Sequence, residues 1–225
     1  MPTRILAIEA SGMGGEVALL EEGKVVLEQP LAAEQRTAQS LAPGIRAALD
    51  LAGWQPKDVQ LVAVTIGPGS FTGLRVGVTT AKTVAYATGC AMLGIDTLAV
   101  IAAQAPLSPQ KQLWSVLDAQ RGQLFAEKFA VIDGRWQSGG AAQILDADAW
   151  LQSLAANDLA TGSGLKRLQA QLPLGCAVTS DLWQPRAATV GQLAWRDYQA
   201  GRRDDLWKLA PDYLRASAAE EKAGL

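Results

Sequence analysis

The chain contains no histidine. That absence removes Ser-His-Asp and Cys-His nucleophile pairs, the HExxH zinc site and every histidine-ligated metal. General acid–base work would fall to carboxylates, Lys, Tyr or Cys, which tilts the balance from an enzyme toward a partner protein. Cysteine is scarce as well. Cys90 and Cys176 stand far apart, outside any CxxC pair, and read as small buried hydrophobes in a reducing compartment. There is no run of about 18 consecutive apolar residues, so no membrane span is expected. Met1-Pro2-Thr3-Arg4 leads straight into a strand-like segment without a leader pattern, and the expectation is a cytoplasmic protein. Clusters of Lys and Arg are missing too, at a net charge of −2. Arg202-Arg203 and Lys208 are broken by Asp204 and Asp205 and read as a solvated face. The chain alone is expected to bind nucleic acid poorly.

What is present is enough length and apolar content, 225 residues with 49% hydrophobic, for one large domain or two small ones with their own cores. Residues 4–9 read as a buried strand ending in Glu9. After the turn glycines Gly12, Gly14 and Gly15 come strands at 16–21 and 24–29, joined by the tight turn Glu22-Gly23. Residues 37–52 carry apolar positions at helical spacing, with Pro43 near the start and Gly53 as the stop. Residues 60–66 form a continuous apolar strand of the parallel-sheet type. Helix 74–88, strand 91–95 and a helix from Thr97 to Gln104 follow. The proline-containing run 105–111 marks a domain boundary, giving domains 1–104 and 105–225, with the last residues packing back on the first. The opening pattern then returns: a strand at 113–117 ending in Asp118, the turn Arg121-Gly122, a strand at 123–132, the turn Asp133-Gly134 and a third strand from Arg135. Helices around 146–156 and 189–201 and the loop Thr161-Gly162-Ser163-Gly164 complete a less regular copy. Glu9 and Asp118 occupy equivalent places in this long-period repeat.

The most informative segment is Gly67-Pro68-Gly69-Ser70-Phe71-Thr72-Gly73, between a buried strand and a helix. Phosphate loops use that setting, because backbone N–H groups and a helix N-terminus favour an anion. The segment is not a Walker A loop, since Leu74 stands where lysine belongs. Two readings stay open: a tightly packed turn or protein contact, and an anion site. Arg75 opposes the macrodipole of the helix it opens, so it has either an acidic partner or ligand phosphate, or plain exposure to solvent.

Two β-β-β-α units, each with a carboxylate ending its first strand, resemble the duplicated ribonuclease-H-like fold of actins and sugar kinases. The run from Gly67 through Leu74-Arg75-Val76-Gly77 resembles the signature of the TsaB (YeaZ) family nearly residue for residue. Ile5-Leu6-Ala7-Ile8-Glu9-Ala10-Ser11 with Glu16-Val17-Ala18-Leu19, Gly94-Ile95-Asp96-Thr97-Leu98, Asp118–Phe125 and Pro211-Asp212-Tyr213-Leu214-Arg215 are similar to further segments of that family. Glu9 and Ala10 depart from its usual Asp and Thr. The resemblance implies an α/β protein of two actin-like domains in tandem, the second smaller. It implies a non-catalytic subunit for N6-threonylcarbamoyladenosine modification of tRNA. That subunit would bind and activate a TsaD-like threonylcarbamoyltransferase together with a TsaE-like ATPase, self-associate as a homodimer, and meet tRNA only through the complex. It implies no metal or cofactor in the chain itself, with ATP or ADP and Mg entering through partners. The implied partner and dimer surface lies on the helices at 37–52 and 74–88, with Leu41, Ile45, Leu74, Val78, Ala81 and Ala85 as its residues. The loop Gly67–Gly73 with Arg75 would touch a nucleotide in the complex. The competing readings are an actin-like ATPase or sugar kinase using Glu9 and Asp118 with Mg, and a Ser-Lys peptidase built on Ser70 and Lys82.

Overall fold

A computed structural model describes residues 2–12, 14–32 and 36–215. Its strands are β1 (Arg4–Glu9), β2 (Glu16–Glu21), β3 (Lys24–Pro30), β4 (Leu61–Gly67), β5 (Ala91–Asp96), β6 (Gln112–Asp118), β7 (Gln123–Ile132), β8 (Arg135–Ser138), β9 (Gln143–Asp146) and β10 (Leu159–Thr161). Its α-helices are α1 (Thr37–Ala52), α2 (Phe71–Thr88), α3 (Thr97–Gln104), α4 (Ala147–Ser153) and α5 (Ala187–Gln199). Contacts divide the described chain into two units. Unit 1 holds the residues up to Thr97 together with Pro185–Asp212; unit 2 holds Leu98–Gln184 and the residues from Tyr213.

Unit 1 is a five-stranded sheet in the order β3-β2-β1-β4-β5. β1 pairs antiparallel with β2, Ala7 facing Ala18 and Glu9 facing Glu16, and parallel with β4. The central strands read as near-continuous apolar runs because both of their faces are covered. Leu6, Ile8, Val62 and Val64 point into a core shared with α1 and α2. On the opposite face the buried Ala187, Val190, Gly191 and Ala194 of α5 pack against the sheet, Gly191 close to Ala7 and Leu20. α1 ends at Gly53, which takes the left-handed conformation (φ 68°) that glycine adopts without Cβ strain. Pro43 lies in the second turn rather than the first. The carbonyl of Gln39 therefore has no N–H four residues on, and both residues are exposed to solvent.

Among the described residues unit 2 repeats the five-stranded arrangement with two α-helices, α3 and α4, where unit 1 has three. Its sheet runs β10-β6-β7-β8, and β9 shares the long strand β7 with β8. β6 pairs antiparallel with β7 and parallel with β10, as β1 does with β2 and β4. Each unit is thus ribonuclease-H-like, and the second is smaller and less regular. One core lies under α3, where Leu98, Ile101 and Ala102 meet Leu113, Leu117 and Phe129. The other holds Trp150 of α4 with Val116, Ala160 and Leu165.

Contacts divide the chain at Thr97/Leu98 instead of 104/105, because the apolar face of α3 belongs to the core of unit 2. The proline-containing run 105–111 joins α3 to β6 within that unit. The segment 185–212 returns to unit 1, where α5 covers β1 and β2.

Candidate functional site

The signature segment is the junction between β4 and α2. Ser70 is the N-cap of α2, its hydroxyl accepting the Gly73 N–H at 3.2 Å, and its carbonyl receives the Leu74 N–H. Its own N–H donates to the Ser11 carbonyl at 2.7 Å. The glycines are fixed by close approach. A Cβ on Gly69 would stand 2.5 Å from the Ser11 oxygen, and one on Gly73 2.1 Å from the Ala10 oxygen. A Cβ on Gly67, whose φ is 136°, would stand 2.3 Å from the Asp212 carbonyl oxygen. Real Cβ contacts do not come that near, so each position admits only hydrogen on its Cα. The loop is a keyed joint between the end of β1, the start of α2 and the segment leading to Asp212. The N–H groups of Ser70, Gly73 and Leu74, which an anion would need, are engaged inside the protein. This geometry favours the packed-turn reading.

Arg75 is exposed, and its guanidinium sits 4.5 Å from the centre of the Phe71 ring, one turn earlier. An aromatic face therefore supplies the favourable contact that the helix N-terminus denies. Thr72 is exposed beside it.

The segment after α5 has no regular secondary structure among the described residues. It runs along the outer edge of β5 and over α2. Asp204 donates its N–H to Met92 O at 3.2 Å and accepts the Gly94 N–H on Oδ2 at 2.8 Å. Lys82 Nζ donates to the carbonyls of Trp207 (3.4 Å) and Leu209 (3.0 Å). Asp212 N–H closes on Ile66 O at 2.7 Å. Tyr86 and Trp207, both exposed, meet edge to face at 6.0 Å.

Leu41, Ile45, Leu74, Val78, Ala81 and Ala85 are all buried within unit 1. Their helical spacing marks the face that α1 and α2 turn to their own sheet, so they hold the helices in place and are not presented to a partner. The outward face of α1 carries Ala42, Pro43, Arg46, Ala47, Asp50 and Leu51. That of α2 carries Thr72, Arg75, Thr79, Thr83, Tyr86 and Ala87. Arg46 and Asp50 pair with each other at 2.8 Å, which leaves a face of mostly small, uncharged side chains.

Glu9 is buried, and burial pushes its carboxyl up to about 7 despite hydrogen bonds from Ser11; Glu16 across the strand adds to the rise. Asp118, in unit 2, accepts the Gln120 N–H at 2.8 Å and pairs with Arg167 at 3.3 Å. Each carboxylate is thus tied within its own unit. Among the described residues no group of three or more His, Cys, Asp or Glu is placed to hold a metal ion. Ser70 and Lys82 lie twelve positions apart along one helix, roughly 18 Å at 1.5 Å per residue, too far for a nucleophile–base pair.

The sequence pattern of the family described as "TsaD: tRNA N6-adenosine threonylcarbamoyltransferase" matches residues 24–180. A Bacillus subtilis protein named "tRNA threonylcarbamoyladenosine biosynthesis protein TsaB" is 28% identical, over 97% of this chain and 96% of its own length. The Escherichia coli protein of the same name is 27% identical, over 97% of each. A solved structure, "YeaZ from Pseudomonas aeruginosa", superposes with a TM-score of 0.80 at 25% identity, over 94% of this chain and all of that one. The chain belongs to the TsaD family, as a member of its TsaB (YeaZ) branch.

Proposed function

We propose that this chain is an accessory, non-catalytic subunit for N6-threonylcarbamoyladenosine modification of tRNA. It binds and activates a TsaD-like transferase, with a TsaE-like ATPase joining the pair. The observation that carries the reading is likeness over nearly the whole chain to proteins named for that biosynthesis. The absence of histidine supports the non-catalytic part, because the chain lacks the usual proton shuttle and metal ligand. Nucleotide and Mg then belong to the partners, and tRNA is met only within the assembly. The expected setting is the cytoplasm; among the described residues no helix is long and apolar enough to cross a membrane.

The docking face in this reading is the outward side of α1 and α2. Small side chains let partner helices approach closely, and few charges must be desolvated there. A helix-on-helix contact of ordinary size buries about 1,200–2,000 Å² in total. The same face serves the homodimer, so the transferase and a second copy compete for it. The test is co-elution and calorimetric titration with the cognate transferase, using wild type and Thr79→Glu. Binding by wild type that Thr79→Glu abolishes supports the assignment. Equal binding by both moves the interface elsewhere, and no binding by wild type removes the accessory role.

A further inference from the structure

Glu9 has no task in the function just proposed, yet it is a carboxyl group 3% exposed. Ile5 and Ala7, on the same face of β1, are apolar and fully buried, so packing alone would be met by an apolar residue. Burying a carboxyl is unfavourable unless its bonds fix something. Its Oε1 accepts the Ser11 N–H at 2.6 Å and also the Ser11 hydroxyl. Ser11 is the residue whose carbonyl receives the Ser70 N–H at 2.7 Å. Ser11 is also the surface against which Gly69 is seated, and the neighbouring Ala10 carbonyl seats Gly73. Ala10 is held from the other side by its N–H on Thr65 Oγ1 at 3.2 Å. One side chain thus sets the residue on which the capping serine of α2 rests.

We propose that Glu9 is the positioning residue of the signature loop: by gripping both donors of Ser11 it fixes the carbonyl on which Gly69 and Ser70 seat, and so sets where α2 begins. The consequence for partner binding rests on the reading of α2 as a docking helix; the effect on the loop does not. Glu9 acts through Ser11 and touches no reacting group.

The test is site-resolved amide hydrogen exchange on the full chain at pH 7, comparing wild type with Glu9→Met, Glu9→Gln and Ser11→Ala. Glu9→Met orphans both Ser11 donors while keeping bulk. Protection at Ser70 and Gly73 is expected to fall about tenfold or more, the scale of leaving a buried donor unpaired. Amides of β4 and β5 should keep their protection, which a merely structural role would not allow. Glu9→Gln keeps an acceptor oxygen and should restore Ser70 to within about threefold of wild type. Unchanged Ser70 protection in Glu9→Met, or a fall shared equally by β4 and β5, overturns the proposal. Should Glu9→Met not fold, Ser11→Ala decides: a fall confined to the loop supports the assignment, and no change at Ser70 overturns it. No partner takes part in this measurement, so its outcome is independent of any failure of the proposed function.

Discussion

Replacing glycine by alanine inside a helix ordinarily stabilises it, by up to about 1 kcal/mol. Gly73, in the first turn of α2, is predicted to do the reverse. The added methyl would lie 2.1 Å from the Ala10 carbonyl oxygen and 3.3 Å from its carbon. An ordinary carbon–oxygen contact is about 1 Å longer than the first distance, and neither side is a flexible side chain that could swing aside. Either the first turn of α2 or the end of β1 must shift, and both are tied by the Ser70–Ser11 bond. Overpacking of this kind costs about 1–3 kcal/mol, and more where backbone must move. Offset by the propensity gain, a net loss of about 2 kcal/mol is expected. For a chain of this size that lowers the melting temperature by about 4–8 °C. Thermal and urea unfolding followed by circular dichroism measure it, with Thr83→Ala on the exposed side of α2 as the propensity control. A Gly73→Ala protein as stable as the control would refute the keyed joint.

Four further outcomes follow from particular residues. The Glu9 carboxyl is raised from 4.5 to about 7 by burial; the folded state therefore holds its proton more tightly than the unfolded chain, and stability falls as pH rises between those values. The loss is on the order of 3 kcal/mol, and Glu9→Gln should flatten the urea midpoint against pH across that window. Thr79→Glu and Ala47→Glu, on the outward helix faces, should change stability by no more than about 0.5 kcal/mol while abolishing transferase binding in calorimetry. Val78→Ala, in the core, should lose about 1–3 kcal/mol of stability in urea with little change in affinity. Lys82→Met removes two hydrogen bonds to the carbonyls of Trp207 and Leu209, and limited proteolysis should cut the 202–212 segment severalfold faster.

Most of the fold could be read in the sequence where chain chemistry is local. α1 was legible to its last residue, because the apolar spacing stops at a glycine that takes the left-handed conformation. The β2–β3 hairpin was legible from two short apolar runs joined by the Glu22-Gly23 turn. α2 begins at Phe71, earlier than the expected 74, since Phe71-Thr72-Gly73 continues a glycine run that resembles a loop. β9 and β10 were missed; at four and three residues they are too short to show a period. The candidate interface failed for a related reason. Periodicity reveals an apolar stripe but not what covers it, and here the protein's own sheet covers Leu41, Ile45, Val78, Ala81 and Ala85. The course of the 202–212 segment was not legible, because it is irregular and docks through main-chain bonds mixed with scattered side chains, Asp204, Trp207 and Leu209 among them, that show no period. The signature glycines were conspicuous in the sequence, but their reason, close approach of the Ala10, Ser11 and Asp212 carbonyls, is a matter of tertiary contact.

The central claim, that this chain enables a transferase without performing chemistry itself, is tested most directly by reconstitution. Threonylcarbamoyl transfer to tRNA is measured with the cognate transferase, the ATPase, threonylcarbamoyl-adenylate and ATP, with and without this chain. Modification that appears only when the chain is present, while the chain alone neither hydrolyses ATP nor modifies tRNA, is the predicted result. Equal modification in its absence, or activity of the chain alone, would contradict the account.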